Sequence, residues 1–528
     1  MERKWWTLAA VVAGVFMLVL DVTIVNVALP AIGADFHAPL TDLQWVIDAY
    51  ALALAAGLLT GGSLADLWGR RKLYAAGTAI FTTCSLLCGL ATGPLFLALA
   101  RTGQGIGGAV VWATSLALLS DAFRGRDRGM AFGIYGGVLG IAAALGPLLG
   151  GVLTSSLSWR WIFWVNIPVG IATVIITMTR LRESSIPRAP RPDWPGFAVF
   201  TAALVLLVYG LISAAGGWAQ PKVYATLAAG AVLLAAFPFL EAAQRHPLLD
   251  LAVFRKPTFN GGLIAAIGLN GSIYALFTYL VIYLQLQLGY SPEQTGVRFL
   301  ALTGAMFVAS TAAGRLSNAI PARAMISSGF LLIGAGTLMM AWLTVSSGYL
   351  HLLPGMIVAG AGAGLVTVPL ASTAVGVVDL AKAGTASGIN ATARQVGLAA
   401  GVAALGAVLT TRTKQAVAAQ LGRTALAGQA AHIASGVGAS SAPAASVPPG
   451  LGPAAARLVI QAVSAGFADG LNEILIIGAA VAFAAAVLSL LLIRGRDFVP
   501  PPTYDHGQPP TGRASGIGAG ERAIGSDP

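Results

Sequence analysis

The chain has 528 residues, 56% of them hydrophobic and 10% charged, with a mean hydropathy of +0.79. Soluble domains carry roughly 25% charged residues, so the composition excludes a water-soluble globular protein and leaves an integral membrane one. A net charge of +11 invites a nucleic-acid reading, but most Lys and Arg residues fall in loops and tails on one side of the expected membrane, which is the positive-inside pattern.

A hydrocarbon core about 30 Å thick needs about 20 helical residues. Apolar runs of that kind occupy residues 5–30, 42–65, 73–91, 94–120, 129–153, 162–181, 196–215, 222–240, 258–287, 293–314, 323–345, 350–377, 384–410 and 471–493. Lipid offers the backbone no hydrogen-bond partner, so the runs are helices, whereas a β-barrel would show short alternating segments. The expected fold class is therefore all-α and membrane-spanning, with fourteen transmembrane helices. Arg3 and Lys4 precede the first run as in a secretory signal, but the run is too long and lacks a small-residue cleavage site. Both termini are expected on the inner side.

In the first run, at 1.5 Å per residue, Asp21 lies roughly 13 Å below the outer surface. Asn26 is rotated about 140° from it around the helix, so the two do not line one narrow face. The second run returns inward with Asp48 roughly 9 Å deep, and Gln44 and Trp45 lie on the same face. In the loop that follows, Gly62 permits close helix approach and Gly69 a tight turn. Asp66 precedes Arg70 by four residues, the spacing of a local ion pair, with Arg71 and Lys72 beside it. This cluster, like Arg124, Arg126 and Arg128, reads as orienting charge facing anionic lipid. Cys84 and Cys88 lie one turn apart in the third run and read as packing, with no disulfide framework or metal site.

The fourth run carries Arg101, again roughly 10 Å deep, and Trp112. In the fifth, Gly133, Gly137, Gly140, Ala144, Pro147 and Gly151 recur every three or four residues and form a small-residue stripe. Pro147 removes a helical hydrogen bond and allows a bend; ordinary helix packing would leave the same pattern. Residues 183–195 are a Pro-rich inner linker leading to the seventh and eighth runs. In the second half of the chain the candidates for a substrate cavity are Asn270, Tyr274, Tyr283, Gln285 and Gln287 in the ninth run, Arg298 in the tenth, and Asn390, Arg394 and Gln395 in the thirteenth, the last group with Arg394 near the midplane. Asn26, Gln44, Trp45 and Trp112 join them from the first half. Interhelical hydrogen bonding is the competing reading for each polar one. Arg298 and Arg394 disfavour a purely cationic substrate. Residues 411–470 read as a long outer loop rich in Ala, Gly, Ser and Pro, part of it fit for an interfacial amphipathic helix. The 495–528 tail reads as disordered and cytoplasmic.

Asp21, Asp48 and Arg101 thus share one layer in the outer half of the bilayer. Membrane-buried charges are costly unless compensated and usually face a bundle interior or an aqueous cavity. Desolvation and a second carboxylate favour protonation of an acid, a neighbouring Arg opposes it, and the Arg stays charged. Such a triad suits a proton carried alternately to the two faces, with Asp21 as principal carrier, Asp48 as second carrier or cation contact and Arg101 modulating both. A structural ion pair tying three helices together is the rival reading.

Two stretches repeat. Gly62, Leu64, Asp66 and Arg71 match Gly314, Leu316, Asn318 and Arg323 at an offset of 252, and Gly129, Ala131, Gly133 and Ile134 match Gly384, Ala386, Gly388 and Ile389 at an offset of 255. The near-equal offsets suggest one duplication, dividing the chain into six-helix halves, 1–182 and 258–494, with 183–257 supplying an inserted helix pair. Internal repeats with a midplane site at their interface are a transporter plan.

Taken in order, "LDVTIVNVALP" (20–30), "LQWVIDAYAL" (43–52), "GSLADLWGRRK" (62–72), "LARTGQGIGGA" (99–109), "LGPLLGG" (145–151) and "WRWIFWVNIPVG" (159–170) resemble the motifs of the major facilitator superfamily, in its fourteen-helix drug:proton antiporter branch (EmrB/QacA-like). The resemblance implies an inner gate of Gly62, Asp66, Gly69, Arg70 and Arg71, with the Asp meeting a helix start near Gly384 to Gly388. Leu67 stands where the family often has Arg, which weakens a charged latch. It also implies an antiporter motif of Gly146, Pro147, Gly150 and Gly151 that limits leakage, and it gives the first-helix Asp and fourth-helix Arg the same proton roles as above.

The expected function is proton-driven export of hydrophobic small molecules, such as antibiotics, dyes or a self-made metabolite, across a bacterial cytoplasmic membrane by alternating access. An uptake symporter or specific solute carrier of the same fold is the alternative. Five scattered His residues with no metal-ligand spacing, and no "GxxxxGK[ST]" phosphate loop, argue against an embedded enzyme or an ATP-driven pump. No cofactor is expected, the proton gradient being the energy source. The expected partners are lipid, substrate and protons, without nucleic acid, and the expected state is a monomer.

Overall fold

In lipid a backbone satisfies its own polar groups through helices or closed barrels. The computed structural model uses helices alone: its described residues are 2–37, 40–123, 125–183, 193–214, 220–244, 251–317, 319–378, 383–437, 443, 446–449 and 451–498, and none of them is in a strand. The first part comprises α1 (Arg3–Phe36), α2 (Leu40–Trp68), α3 (Arg70–Gly89), α4 (Pro94–Ala122), α5 (Gly125–Ser156), the short α6 (Trp161–Trp164) and α7 (Asn166–Arg180). A pair, α8 (Trp194–Ala214) and α9 (Pro221–Ala243), follows. The rest comprises α10 (Pro257–Leu269), α11 (Ala275–Ile282), α12 (Pro292–Leu316), α13 (Ala322–Met339), α14 (Tyr349–Gly376), α15 (Ala383–Leu421), α16 (Ala430–Gly436) and α17 (Pro453–Leu492).

Among the described residues twelve segments are long and apolar enough to cross a membrane, two fewer than expected from the sequence. The two missing from that set are α3 and α5, which run 20 and 32 residues; α3 opens on Arg70, Arg71 and Lys72. The sixth run is not one helix but breaks at Val165 between α6 and α7. In the ninth, α10 and α11 are joined and followed by π-helical turns at Asn270–Tyr274 and Tyr283–Gln287, a form that concentrates at functional sites.

The largest departure concerns residues 411–470. Expected as a loop, they mostly continue the helices on either side. α15 and α17 have 39 and 40 residues, roughly 60 Å at 1.5 Å per residue, twice the hydrocarbon thickness. Their protruding ends pack with α16 around Leu421, Ile433, Val459 and Val463. The segment is rich in alanine, the strongest helix former, and its own small core explains why it folds outside lipid. The 495–528 tail lies outside the described residues from 499 onward.

Within residues 3–180, α2 and α3 pack on α4, α1 packs on α5, and α7 lies against α1 and α3. Within 257–492, α14 packs on α12 and α13, while α17 packs on α10, α13 and α15. The α8–α9 pair packs mainly on itself and touches the rest through α2 and α15. The two groups meet mainly where α5 crosses α12 and α2 crosses α15, with α4 on α15 and α5 on α14 beside them. Both crossings are made by glycine. A Cβ on Gly62 would land on the carbonyl oxygen of Gly384, and one on Gly129 would land on that of Gly314.

Candidate functional site

Asp21 lies in the middle of α1 and is fully buried. Its Oδ2 accepts a hydrogen bond of 2.5 Å from Arg101 Nη1 on α4, and its Oδ1 accepts from Gln104 Nε2 at 2.8 Å and from Asn166 Nδ2 at 3.2 Å. Gln104 sits three residues after Arg101, on the same face of α4, and its Oε1 accepts from Arg101 Nη1 at 2.7 Å. Ser85 of α3 closes the ring: its hydroxyl accepts from Gln104 Nε2 and Asn166 Nδ2 and donates to the Phe163 carbonyl at 2.8 Å. Arg101 Nε donates to the Val46 carbonyl at 3.1 Å, and its guanidinium lies 4.1 Å from the centre of the Tyr50 ring, a cation–π contact strengthened by desolvation.

Two consequences follow. The network joins α1, α2, α3, α4 and α7 through one carboxylate, and among the described residues every group hydrogen-bonded to that carboxylate is a donor. A proton on Asp21 would add an O–H with no acceptor facing it, so protonation must displace at least one of Arg101, Gln104 and Asn166.

Asp48 does not join this ion pair. It is half-buried and, among the described residues, has no hydrogen bond or ion pair. Height alone suggested a triad, but Val46 and Tyr50 are the α2 residues that face Arg101. Asp48 is two residues from each, rotated by about 200°, and so points off the opposite side of α2.

At the basic end, Asp66 is buried between two elements. Its Oδ1 accepts from Arg70 Nη2 at 2.8 Å and from the Gly384 amide at 3.0 Å, and its Oδ2 accepts from the Thr385 amide at 2.9 Å. Those amides open α15, where the helix dipole favours an anion. Gly69 adopts φ +105° between α2 and α3, the conformation that favours glycine. The first amides of α3, from Arg71 and Lys72, donate to Glu183 at 3.0 and 3.3 Å. At the opposite end, Asp35 accepts from Trp159 Nε1 at 3.1 Å and from Arg160 Nη1 at 2.9 Å, which together hold its carboxyl below the usual aspartate range.

On α15, Arg394 Nε donates to Asn390 Oδ1 at 3.0 Å; both residues are buried. Tyr274, at the end of the first π-turn, donates to Met306 Sδ at 3.6 Å. Asn270 is turned back on its own helix, donating to the Ala266 carbonyl at 2.9 Å, and Gln285 is half-buried in the second π-turn. Trp112 packs against the core of the first part. Trp45 stacks on Tyr209 of α8 with centroids 6.2 Å apart and lines a cavity of about 660 Å³ with Ala49, Leu52, Leu95, Leu99 and Val205. That cavity flanks α2, α4 and α8 and carries no charged lining residue, so it is separate from the Asp21 network. Gly146 packs directly on Thr23 of α1, two residues beyond Asp21, while Gly150 is buried and Gly151 half-buried. The side chains of Asn26, Gln44 and Pro147 lie outside the described set.

A family model described as Major Facilitator Superfamily matches residues 11–402. The chain belongs to the major facilitator superfamily. Its superfamily relatives include a puromycin resistance protein of Streptomyces alboniger, 39% identical over 78% of this chain and 83% of that protein. Another is a tetracenomycin C resistance and export protein of Streptomyces glaucescens, 35% identical over 78% of this chain and 77% of its own length. The crystal structure of the human organic anion transporter MFSD10 (TETRAN) superposes with a TM-score of 0.61 at 14% identity, covering 93% of this chain and all of that one, a likeness of fold. The protein is thus a multi-pass membrane protein of a transporter superfamily.

Sequence reasoning missed Gln104, Asn166, Ser85, Tyr50 and Glu183. An uncharged polar residue in a membrane helix carries no mark of its own, but Gln104 had a signal: it stands one helical turn from Arg101 inside the quoted motif.

Proposed function

We propose that the protein exports hydrophobic small molecules of the drug and antibiotic type in exchange for protons, by alternating access between two six-helix bodies in a bacterial cytoplasmic membrane. The resistance and export relatives support the cargo. The sealed Asp21–Arg101 pair is the observation that carries the coupling: its carboxylate is held by donors alone, so taking up a proton loosens α1 from α4 and α7. Gly146 presses α5 onto α1 next to this point, which suits a helix that keeps the proton site from leaking.

α3 and α5, packed within the bundle on α4 and α1, complete fourteen spans in this reading. The two bodies are 1–182 and 258–494. Gly62 and Gly314 are repeat-mates, as are Gly129 and Gly384, and the observed contacts pair Gly62 with Gly384 and Gly129 with Gly314. Exchange of partners in this way is what a two-fold relation between duplicated halves produces. With the basic end cytoplasmic by the positive-inside rule, the α2–α15 crossing closes that side beside a retained α5–α12 contact, and the conformation is outward-facing.

Everted membrane vesicles carrying an imposed pH gradient test the reading. Adding puromycin or tetracenomycin C to the wild type is expected to dissipate the gradient as drug accumulates. Asp21→Asn is expected to lower gradient-driven accumulation at least about 100-fold, since a buried cation left without its counter-ion costs about 3–5 kcal/mol and the proton carrier is gone, while the protein still inserts in the membrane. Full accumulation by Asp21→Asn would remove that residue from the mechanism.

A further inference from the structure

Among the described residues three arginines are buried, Arg70, Arg101 and Arg394, and they differ in one respect. Arg70 is paired with Asp66. Arg101 is neutralised by Asp21. Arg394 is 7% exposed, yet among the described residues no carboxylate pairs with it, and its Nη2 is buried without a hydrogen-bond partner. Asn390 Nδ2, one turn away, is buried and unpartnered too, as is the hydroxyl of Ser387 one turn further. Spacings of three and four residues align all three on one stripe of α15. The Arg394 Nε bond to Asn390 Oδ1 engages the acceptor of that amide, while its N–H₂ has no partner among the described residues. Tyr135 of α5 and Tyr274 come near enough to Arg394 to interact with its charge, so the stripe faces the interface between the two bodies.

Arg does not shed its charge, and an isolated buried cation costs several kcal/mol. A membrane helix that keeps one, beside donors that have no partner among the described residues, is suited to hold an anion. We propose that this stripe is the anchoring site for an acidic cargo: a planar organic anion whose carboxylate or phenolate accepts from Arg394 Nη2 and Asn390 Nδ2 while its aromatic body lies by Tyr135 and Tyr274. The inference rests on the export reading above and adds to it the charge class of the substrate. Charge-assisted pairs of this kind are the strong ones.

The test uses three probes with one body and three charges: anthracene-2-carboxylate, its methyl ester, and 2-(aminomethyl)anthracene as its cation. Binding to the full-length protein in detergent is read by probe fluorescence. The wild type is expected to bind the acid at least about tenfold more tightly than the ester and the cation least, one charge-assisted bond being worth at least that factor. Arg394→Gln should bring the acid down to the ester with ester affinity within about twofold, and Arg394→Lys should restore part of the difference. Asn390→Asp supplies an internal counter-ion of the same shape, so it should fold as the wild type does and lose the acid preference. Equal losses for acid and ester in Arg394→Gln, or a wild type that prefers the ester or the cation, would overturn the proposal. So would a thermal shift of the wild type by chloride against sulfate, absent in Arg394→Gln and with no acid preference, since the anion held there would then be inorganic. Gradient-driven accumulation of the same probes in everted vesicles is scored separately: movement of the ester or cation alone leaves export standing and removes the acidic cargo, whereas acid-selective binding with no gradient-driven movement of any probe removes the export reading instead.

Discussion

Two helix crossings join the bodies at the basic end, and they are built differently. The α5–α12 crossing is long: Gly129, Gly133, Gly137 and Gly140 run against Gly314, Ser310, Phe307 and Thr303 in turn, roughly 16 Å of helix at 1.5 Å per residue. It carries no ion pair among the described residues, and its polar contact is a 3.3 Å bond from the Ser310 hydroxyl to the Gly133 carbonyl. The α2–α15 crossing is less extensive, its close approach setting Leu58–Asp66 against Gly384–Gly388, and it is charged, with Asp66 held by Arg70 and by the first amides of α15. The same close glycine approach occurs at both crossings, and the charge stands at one of them. A long apolar crossing suits a hinge kept through the cycle, and a less extensive charged one suits a latch that opens.

Breaking both crossings with the same side chain gives the largest expected effects and separates the two roles. Gly129→Val drives a branched side chain into the Gly314 backbone, a contact that a hinge keeps through the cycle, so transport is expected to fall at least about 100-fold together with folded yield, overpacking of this kind costing about 1–3 kcal/mol or more. Gly62→Val meets the Gly384 backbone only when the latch is closed. Its transport should fall about tenfold or more, but its yield and melting temperature should stay near the wild type, while cysteines introduced at the basic end label faster. Similar losses of yield in both variants would erase the distinction between hinge and latch.

Removing the charge and keeping the shape is the next smaller step. Asp66→Asn loses the ion pair with Arg70 and the favourable charge at the α15 N-terminus, together about 1–3 kcal/mol. A closed latch weakened by that amount shifts the access equilibrium about tenfold or more, seen as faster labelling at the basic end and lower accumulation. The residue matched to Asp66 in the sequence, Asn318, is uncharged, and Asn318→Asp should not restore the Asp66→Asn variant. Restoration would show the two crossings to be interchangeable.

These contrasts were only partly legible in the sequence. Long apolar runs announce helices because lipid leaves the backbone no alternative, and charge deep in a run marks Asp21 and Arg101 because such burial is costly. Depth is one coordinate, however, and a side chain needs two. Asp48 shares the height of Arg101 but points away from it, which the positions of Val46 and Tyr50 reveal only once α2 is docked. Hydropathy windows also stop at the membrane surface, so the alanine-rich ends of α15 and α17 read as loop although their helix propensity favours continuation. The repeat offsets identified which glycines correspond but not which ones touch, because partner exchange across a two-fold relation is a property of the assembled halves.

The smallest effect is expected one turn away from the latch. Glu183 accepts from the Arg71 and Lys72 amides at the start of α3 and lies 3.7 Å from Arg71 Nε, whereas α13, which occupies the matching place in the second body, begins after Pro321 with no side-chain cap. Glu183 and Arg71 are each about a quarter exposed, so solvent screens the pair. Glu183→Gln keeps one acceptor for the amides and removes the charge, and transport should fall about two- to threefold, in line with about 0.5–1 kcal/mol for a cap and dipole contact. The deficit should shrink as salt is raised from about 50 to 500 mM, because the lost term is electrostatic. A salt-independent loss as large as that of Asp66→Asn would instead make Glu183 part of the latch, with the charged crossing extending beyond α2 and α15 to the end of α7.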